Sequence, residues 1–225
     1  MRKTPEGLYY EAVSQNQPMI IEYPTDNLRQ KYQISCNKKS DINEHVPTLC
    51  NLAMQCPRVV EIGLRKMISS WGFLMGLSKN SSSKRFYLGI DIAPPPIAIL
   101  FSAQVIANEN GIPFEFWLEN DMNVEIPQTD LLFIDSLHTY CHLIYELETF
   151  CIKVDKYIAI HDTSSPYGQK NEKYTGDYSE YPPWIDKNKQ GLEIAVKDFL
   201  SRHPEWMMHK KYSNCHGLTI LKRVH

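Results

Sequence analysis

Residues 130–163 read DLLFIDSLHTYCHLIYELETFCIKVDKYIAIHDT. The first apolar run, DLLFID, leads into a segment whose apolar positions 140, 143, 144, 147 and 151 share one helical face. A second run, KYIAIHD, follows. Both runs are apolar on successive residues, as expected of parallel strands covered on both faces. Strand, crossover helix and strand make a βαβ unit. Each strand closes on polar residues: Asp135 with His138 just beyond it, then His161 and Asp162. The carboxyl ends of parallel strands are where open α/β sheets bind ligands.

The same rhythm extends in both directions. RVVEIG (58–63), RFYLGID (85–91) and PFEFWLE (113–119) read as strands, and MISSWGFLMGL (67–77) as a helix. PPPIAILFSAQVIANENG (94–111) reads as a helix entered through prolines and closed by Gly111. Beyond a long loop after residue 162 come a helix at about 191–202 and two strands, EWMMHKKYS and HGLTILKRV. Those two pair as an antiparallel hairpin about the turn NCHG. The pattern predicts an α/β fold: a Rossmann-like, doubly wound seven-stranded sheet, mostly parallel, with a C-terminal antiparallel hairpin.

Residues 1–57 are expected to form an N-terminal cap or lid on a main domain of residues 58–225. The first 35 or so are polar and aromatic, and Pro5, Pro18 and Pro24 break any long element. Asp41 with Glu44 has the spacing of a capping box, followed by Val46, Leu49, Cys50, Ala53 and Met54 at helical intervals. Pro47 falls early in that helix, where a missing N–H is tolerated.

At 225 residues, 43% apolar and 22% charged, the chain has the composition of an ordinary globular domain. A net charge of −2 with mixed signs argues against nucleic acid as a partner. No apolar run approaches the ~20 residues of a membrane span, and the start lacks the apolar core of a signal peptide. The six cysteines form no C-x-x-C pair and read as reduced thiols of a cytoplasmic chain. Oligomeric state, a homo-oligomer included, is left open.

The loop after the first strand, EIGLRKMISS, lacks G-x-G-x-x-G, and the strand ends in Glu61. A dinucleotide pyrophosphate wants backbone N–H groups there rather than a carboxylate. A cofactor carrying an ammonium and a sulfonium tolerates one. Asp91, at the end of the second strand, stands where such folds hold ribose hydroxyls. Asp121 could reach an adenine amino group, with Met122 packed on the ring. This order of elements and acids resembles the class I S-adenosylmethionine-dependent methyltransferases over about residues 58–223. Of the family's E/D-x-G-x-G-x-G only Gly63 remains, with Arg65 and the Ser69–Ser70 pair where small residues are usual. The resemblance implies S-adenosylmethionine as cofactor, held by Glu61, Gly63, Arg65, Ser70, Asp91, Asp121 and Met122.

Asp135 and Asp162 close consecutive strands, and neighbouring strands lie about 4.8 Å apart. Converging carboxylates repel unless a proton or cation lies between them. A divalent metal on Asp135 and Asp162, with His161 as third ligand, answers this; the alternative reading has both carboxylates binding substrate directly and His161 hydrogen-bonding across strand ends. His138, three residues past Asp135, is placed to accept the proton of a substrate hydroxyl. D-x-x-H-x-Y followed by a polar pair after the next strand resembles metal-dependent sugar O-methyltransferases, including the macrolide-sugar enzymes. That resemblance implies magnesium (or manganese) on Asp135 and Asp162 and His138 as base, while His161 departs from the usual Glu or Asp. His142 lacks the glutamate of H-E-x-x-H and reads as a solvated helix residue.

Tyr167, Tyr174, Tyr178, Tyr181 and Trp184 lie in the long loop, where aromatic faces suit a carbohydrate. Tyr140, Tyr167 and Trp184 are the expected substrate contacts, and Asn43 and His45 are placed toward cofactor or acceptor. The expected activity is methyl transfer to a sugar hydroxyl of a glycan or glycosylated metabolite. The rival readings are a metal-independent small-molecule methyltransferase, a nicotinamide-dependent oxidoreductase and a binding module without turnover.

Overall fold

The computed structural model describes residues 27–224. Seven strands lie in the order β3-β2-β1-β4-β5-β7-β6, a mixed sheet that is parallel except for its C-terminal hairpin. The predicted fold class is the one observed. By packing, the chain falls into two compact units that meet in sequence between Val124 and Glu125.

In the first unit, β1 (Arg58–Ile62), β2 (Phe86–Asp91) and β3 (Phe114–Leu118) are parallel neighbours. They sit within a residue or two of the predicted runs; β1 and β2 are almost continuously buried, and β3 is buried at Phe116 and Trp117. The helices before and between them are α1 (Leu28–Asn37), α2 (Val46–Ala53), α3 (Ile68–Lys79) and α4 (Ile97–Glu109). Helix α4 starts only after Pro94–Pro96, which supply no N–H, and stops where Gly111 takes φ +64°. Helices α2 and α3 approach closely: a Cβ on Gly76 would meet the Ala53 Cβ at 2.6 Å, and one on Gly72 would meet the Val46 carbonyl oxygen at 2.9 Å.

Two readings of the N-terminal region are corrected. Helix α1 occupies residues assigned to an irregular appendage; Asn27 caps it, its Oδ1 accepting from the Gln30 N–H at 3.0 Å. Only Leu28 and Ser35 of this helix are buried, so periodicity gave little warning. The helix does not start at Asp41 as the Asp41/Glu44 spacing predicts; it starts at Val46, with His45 as its N-cap. Ser40 Oγ accepts from the backbone N–H of Asn43 at 3.0 Å, and a 3₁₀ turn (Asn43–His45) leads directly into α2. In this turn Asn43 Nδ2 donates to the Cys36 carbonyl at 3.0 Å, and His45 is buried. Pro47 does stand in the first turn of α2. Residues 1–26 of the expected cap lie outside the described residues.

The second unit contains β4 (Thr129–Ile134), α5 (Tyr140–Phe150), β5 (Val154–His161), α6 (Leu192–Arg202), β6 (Trp206–Tyr212) and β7 (Leu218–Arg223). Strand β4 runs parallel to β5, with Ile134 opposite Ile160. Strand β7 returns antiparallel to β5, with Leu218 opposite His161. The turn that precedes β7 is therefore delivered to the carboxyl end of β5. Helix α5 begins at Thr139, whose hydroxyl accepts from the His142 N–H at 3.3 Å. All six cysteines are free thiols, and among the described residues no helix is long and apolar enough to cross a membrane.

Candidate functional site

Four predicted residues of the second unit come together. Asp135 follows the last residue of β4, His161 ends β5 and Asp162 follows it in the left-handed region at φ +57°, which Asp and Asn tolerate better than other side chains. That φ turns the chain so that the Asp162 carboxylate points back at its neighbours. His161 Nδ1 lies 3.2 Å from Asp135 Oδ1 and 3.2 Å from Asp162 Oδ2. His138 Nε2 lies 2.8 Å from Asp162 Oδ2 and 3.7 Å from Asp135 Oδ1. Asp135, His161 and Asp162 each offer one ligand atom, all within 4.8 Å of one another.

The electrostatics follow from this crowding. Burial disfavours the charged His138 and His161 rings, yet Asp135 and Asp162 outweigh it, pushing His138 up to about 10 and His161 up to about 11. Burial likewise opposes ionisation of Asp135 and Asp162, but the two imidazoles hold both carboxyls below the usual carboxylate range.

Three partners were not found from sequence. His216 Nδ1 lies 3.0 Å from Asp162 Oδ1, and the Cys215 carbonyl oxygen lies 3.0 Å from His161 Nε2. Both residues belong to the β6–β7 turn, where φ is positive at Cys215, His216 and Gly217. The hairpin had been predicted, but not that β7 would pair with β5. Glu172, in the loop after β5, places Oε2 3.1 Å from His138 Nδ1. No local pattern marks it.

The loop aromatics divide. Tyr167 stacks on the His138 ring at 4.5 Å, and Trp184 is 53% exposed. Tyr181 is buried, with its hydroxyl 3.0 Å from His142 Nδ1. His142 is therefore a core residue and not the solvated one expected, because the returning loop covers it. Tyr140, expected at the substrate, is also buried; its hydroxyl donates to Asp198 Oδ2 at 2.7 Å and ties α5 to α6.

The predicted cofactor residues lie in the first unit. Glu61 is fully buried, and its carboxylate accepts from the hydroxyls of Ser69, Ser70 and Tyr87, the Ser70 contact measuring 2.8 Å. Glu61 and Ser70, expected on the cofactor, are thus bonded to one another. Asp91 Oδ2 accepts from the N–H groups of Leu64 at 2.7 Å and Arg65 at 3.1 Å, while Oδ1 takes that of Ala93 at 2.9 Å. It fastens the loop after β1, in which Gly63, Arg65 and Met67 all have positive φ. The Arg65 guanidinium is exposed and pairs with Asp41 at 2.9 Å. Asp121 and Met122 form part of a partly exposed 3₁₀ turn after β3.

No family model and no curated protein matches the chain. Solved structures do. An S-adenosylhomocysteine-bound methyltransferase from Podospora anserina aligns at 13% identity with TM-score 0.54, over 98% of this chain and 95% of that one. A Bacillus cereus O-methyltransferase, also in complex with S-adenosylhomocysteine, aligns at 12% identity and TM-score 0.56 over 96% of each. A Geobacter sulfurreducens methyltransferase aligns at 14% and 0.54, over 97% of this chain and 96% of that one. Across nearly its whole length the chain therefore has the Rossmann-like α/β fold of these methyltransferase structures.

Proposed function

We propose that the chain is an S-adenosylmethionine-dependent O-methyltransferase whose acceptor is a sugar hydroxyl, in a glycan or a glycosylated metabolite. The observation that carries this reading is the convergence of Asp135, His138, His161 and Asp162 at the carboxyl ends of β4 and β5. Likeness to structures solved with S-adenosylhomocysteine supports the cofactor. So does the position of an acidic residue at the end of β2 and of another just beyond β3, Asp91 and Asp121. Tyr167 beside His138, with exposed Trp184 on the same loop, supports a carbohydrate acceptor.

In the proposed reaction the acceptor oxygen attacks the sulfonium methyl; the O–C bond forms as the S–C bond breaks. S-adenosylhomocysteine leaves with the electron pair, and the hydroxyl proton passes to Nε2 of His138. The products are a methyl ether and an imidazolium. Asp135, Asp162 and Nδ1 of His161 would hold a divalent ion, magnesium or manganese; two carboxylate oxygens and one imidazole within 4.8 Å fit such an ion. When bound, it supplies positive charge against the developing alkoxide. The free thiols accord with a cytoplasmic site of action.

A second reading, methyl transfer without metal, is favoured by one contact. A protonated His161, 3.2 Å from both carboxylates, would itself supply the cation between them. Both readings are tested by incubating the protein with S-adenosylmethionine and hydroxylated acceptors and following S-adenosylhomocysteine release. His138→Ala is expected to lower turnover by roughly 10²–10⁴-fold with cofactor affinity kept; equal turnover removes His138 as base. Excess EDTA abolishes activity in the first reading and spares it in the second.

A further inference from the structure

We propose that Glu172 is the positioning residue for His138, holding the ring so that Nε2 points toward Asp135 and Asp162. This rests on the reading of His138 as base and deepens it.

Both carboxylate oxygens of Glu172 are used on one residue. Oε1 accepts the His138 backbone N–H at 3.1 Å, and Oε2 lies 3.1 Å from His138 Nδ1. The contact is reciprocal, since the Glu172 N–H donates to the His138 carbonyl at 3.0 Å. An ionised carboxylate can only accept, so Nδ1 carries the proton of that bond. Nε2 points the other way, toward Asp162 and Asp135, the side on which the acceptor hydroxyl has to lie. Glu172 sits on the opposite side of the ring from the two aspartates. It has no path to the acceptor oxygen and acts only through His138.

The rest of the loop is built to keep Glu172 there. Neighbouring Asn171 accepts with a single Oδ1 from the Tyr140 N–H at 2.9 Å and from the Gly191 N–H at 2.8 Å. That bond pair joins the first residue of α5, the middle of the loop and its far end. Tyr167, a few residues earlier, covers one face of the His138 ring at 4.5 Å with an interplanar angle of 11°. The ring is thus fixed at one nitrogen, at its backbone and along one face by the same loop. A general base needs this: an imidazole free to rotate or to exchange tautomers presents Nε2 only part of the time.

The experiment compares wild type with Glu172→Gln and Glu172→Asp, by kinetics and by NMR of ¹⁵N-histidine protein, with the His138 signal assigned through His138→Gln. Gln has one acceptor where the carboxylate has two; Asp keeps the charge on a shorter arm. We expect E172Q to lower kcat about 10–100-fold with KM for S-adenosylmethionine unchanged, and E172D to recover part of the loss. The wild type should show a downfield Nδ1–H resonance of His138 that disappears into exchange in E172Q and is retained in E172D. An unchanged resonance with unchanged kcat in E172Q overturns the proposal. So does a drop in thermal midpoint and cofactor affinity with the resonance intact, since Glu172 would then only support the fold. If the wild type methylates no acceptor, the proposed activity fails, while the NMR comparison still decides whether Glu172 holds the ring.

Discussion

His161 Nε2 lies 3.0 Å from the carbonyl oxygen of Cys215. A carbonyl only accepts, so Nε2 is the donor and Nδ1 is the atom turned toward Asp135 and Asp162. A neutral ring would then aim a lone pair at two carboxylates, which is tolerable only with a cation among them. Two hard oxygens and one imidazole nitrogen suit manganese or another first-row ion better than magnesium, whose preferred shell is all oxygen. Calorimetric titration should therefore give tighter binding for Mn²⁺ than for Mg²⁺, with the preference narrowed in His161→Asp. Equal affinities in the wild type would remove His161 from the ligand set.

Asp162 combines a left-handed backbone with the most shared carboxylate of the site. Asn tolerates φ +57° nearly as well as Asp, so Asp162→Asn should keep the fold while losing the negative charge that His138, His161 and His216 face. We expect turnover to fall at least about 10²-fold with the thermal midpoint little changed. Asp162→Val should instead lower the midpoint, because a β-branched residue is strained there. A fully active D162N would show that the carboxylate serves only the turn.

How much of this was readable in advance follows physical lines. The central strands β1, β2 and β4 were legible because they are buried along nearly their whole length, and a local apolar run records that. Asp135, His138, His161 and Asp162 were legible because strand ends are local too. Glu172 and Tyr181 were not: they reach His138 and His142 from a loop 34 and 39 residues away in sequence, with no periodicity to place them. His142 was misread for that reason, since Tyr181 reaches it from that loop and its ring is buried. His216 lay in between. Its turn was visible, and pairing β7 antiparallel to β5 would have delivered it to Asp162.

The buried Glu61 gives a stability prediction in the first unit. Its oxygens depend on three hydroxyls, and Tyr87 supplies one from the adjacent strand β2. The Tyr87 hydroxyl is itself pushed well above the ordinary tyrosine range, by burial first and by the Glu61 charge second, so it stays a donor. Tyr87→Phe removes one donor from a desolvated carboxylate, at about 1–3 kcal/mol. At this chain length each kcal/mol corresponds to roughly 2–4 °C in Tm. Thermal melts of Y87F and of the double variant with Glu61→Gln should show the second change recovering part of the loss. Additive losses would mean that the two groups are not coupled.

His203 gives a pH prediction away from the site. Its Nδ1 lies 2.9 Å from Glu205 and its Nε2 2.9 Å from Glu148, and its ring stacks on Phe199 at 4.3 Å. Partial burial disfavours the charged ring, but the two glutamates outweigh it and raise the pKa above the ordinary histidine value. A pKa raised on folding contributes stability that is fully present below the unfolded value, about 6.5, and is lost as pH climbs through the native value. His203→Gln keeps hydrogen-bonding capacity without the charge. The stability difference between wild type and H203Q, from urea melts, should be largest near pH 5.5 and shrink steadily toward pH 9. A difference that is constant across that range would mean that His203 contributes through packing on Phe199 and not through its charge.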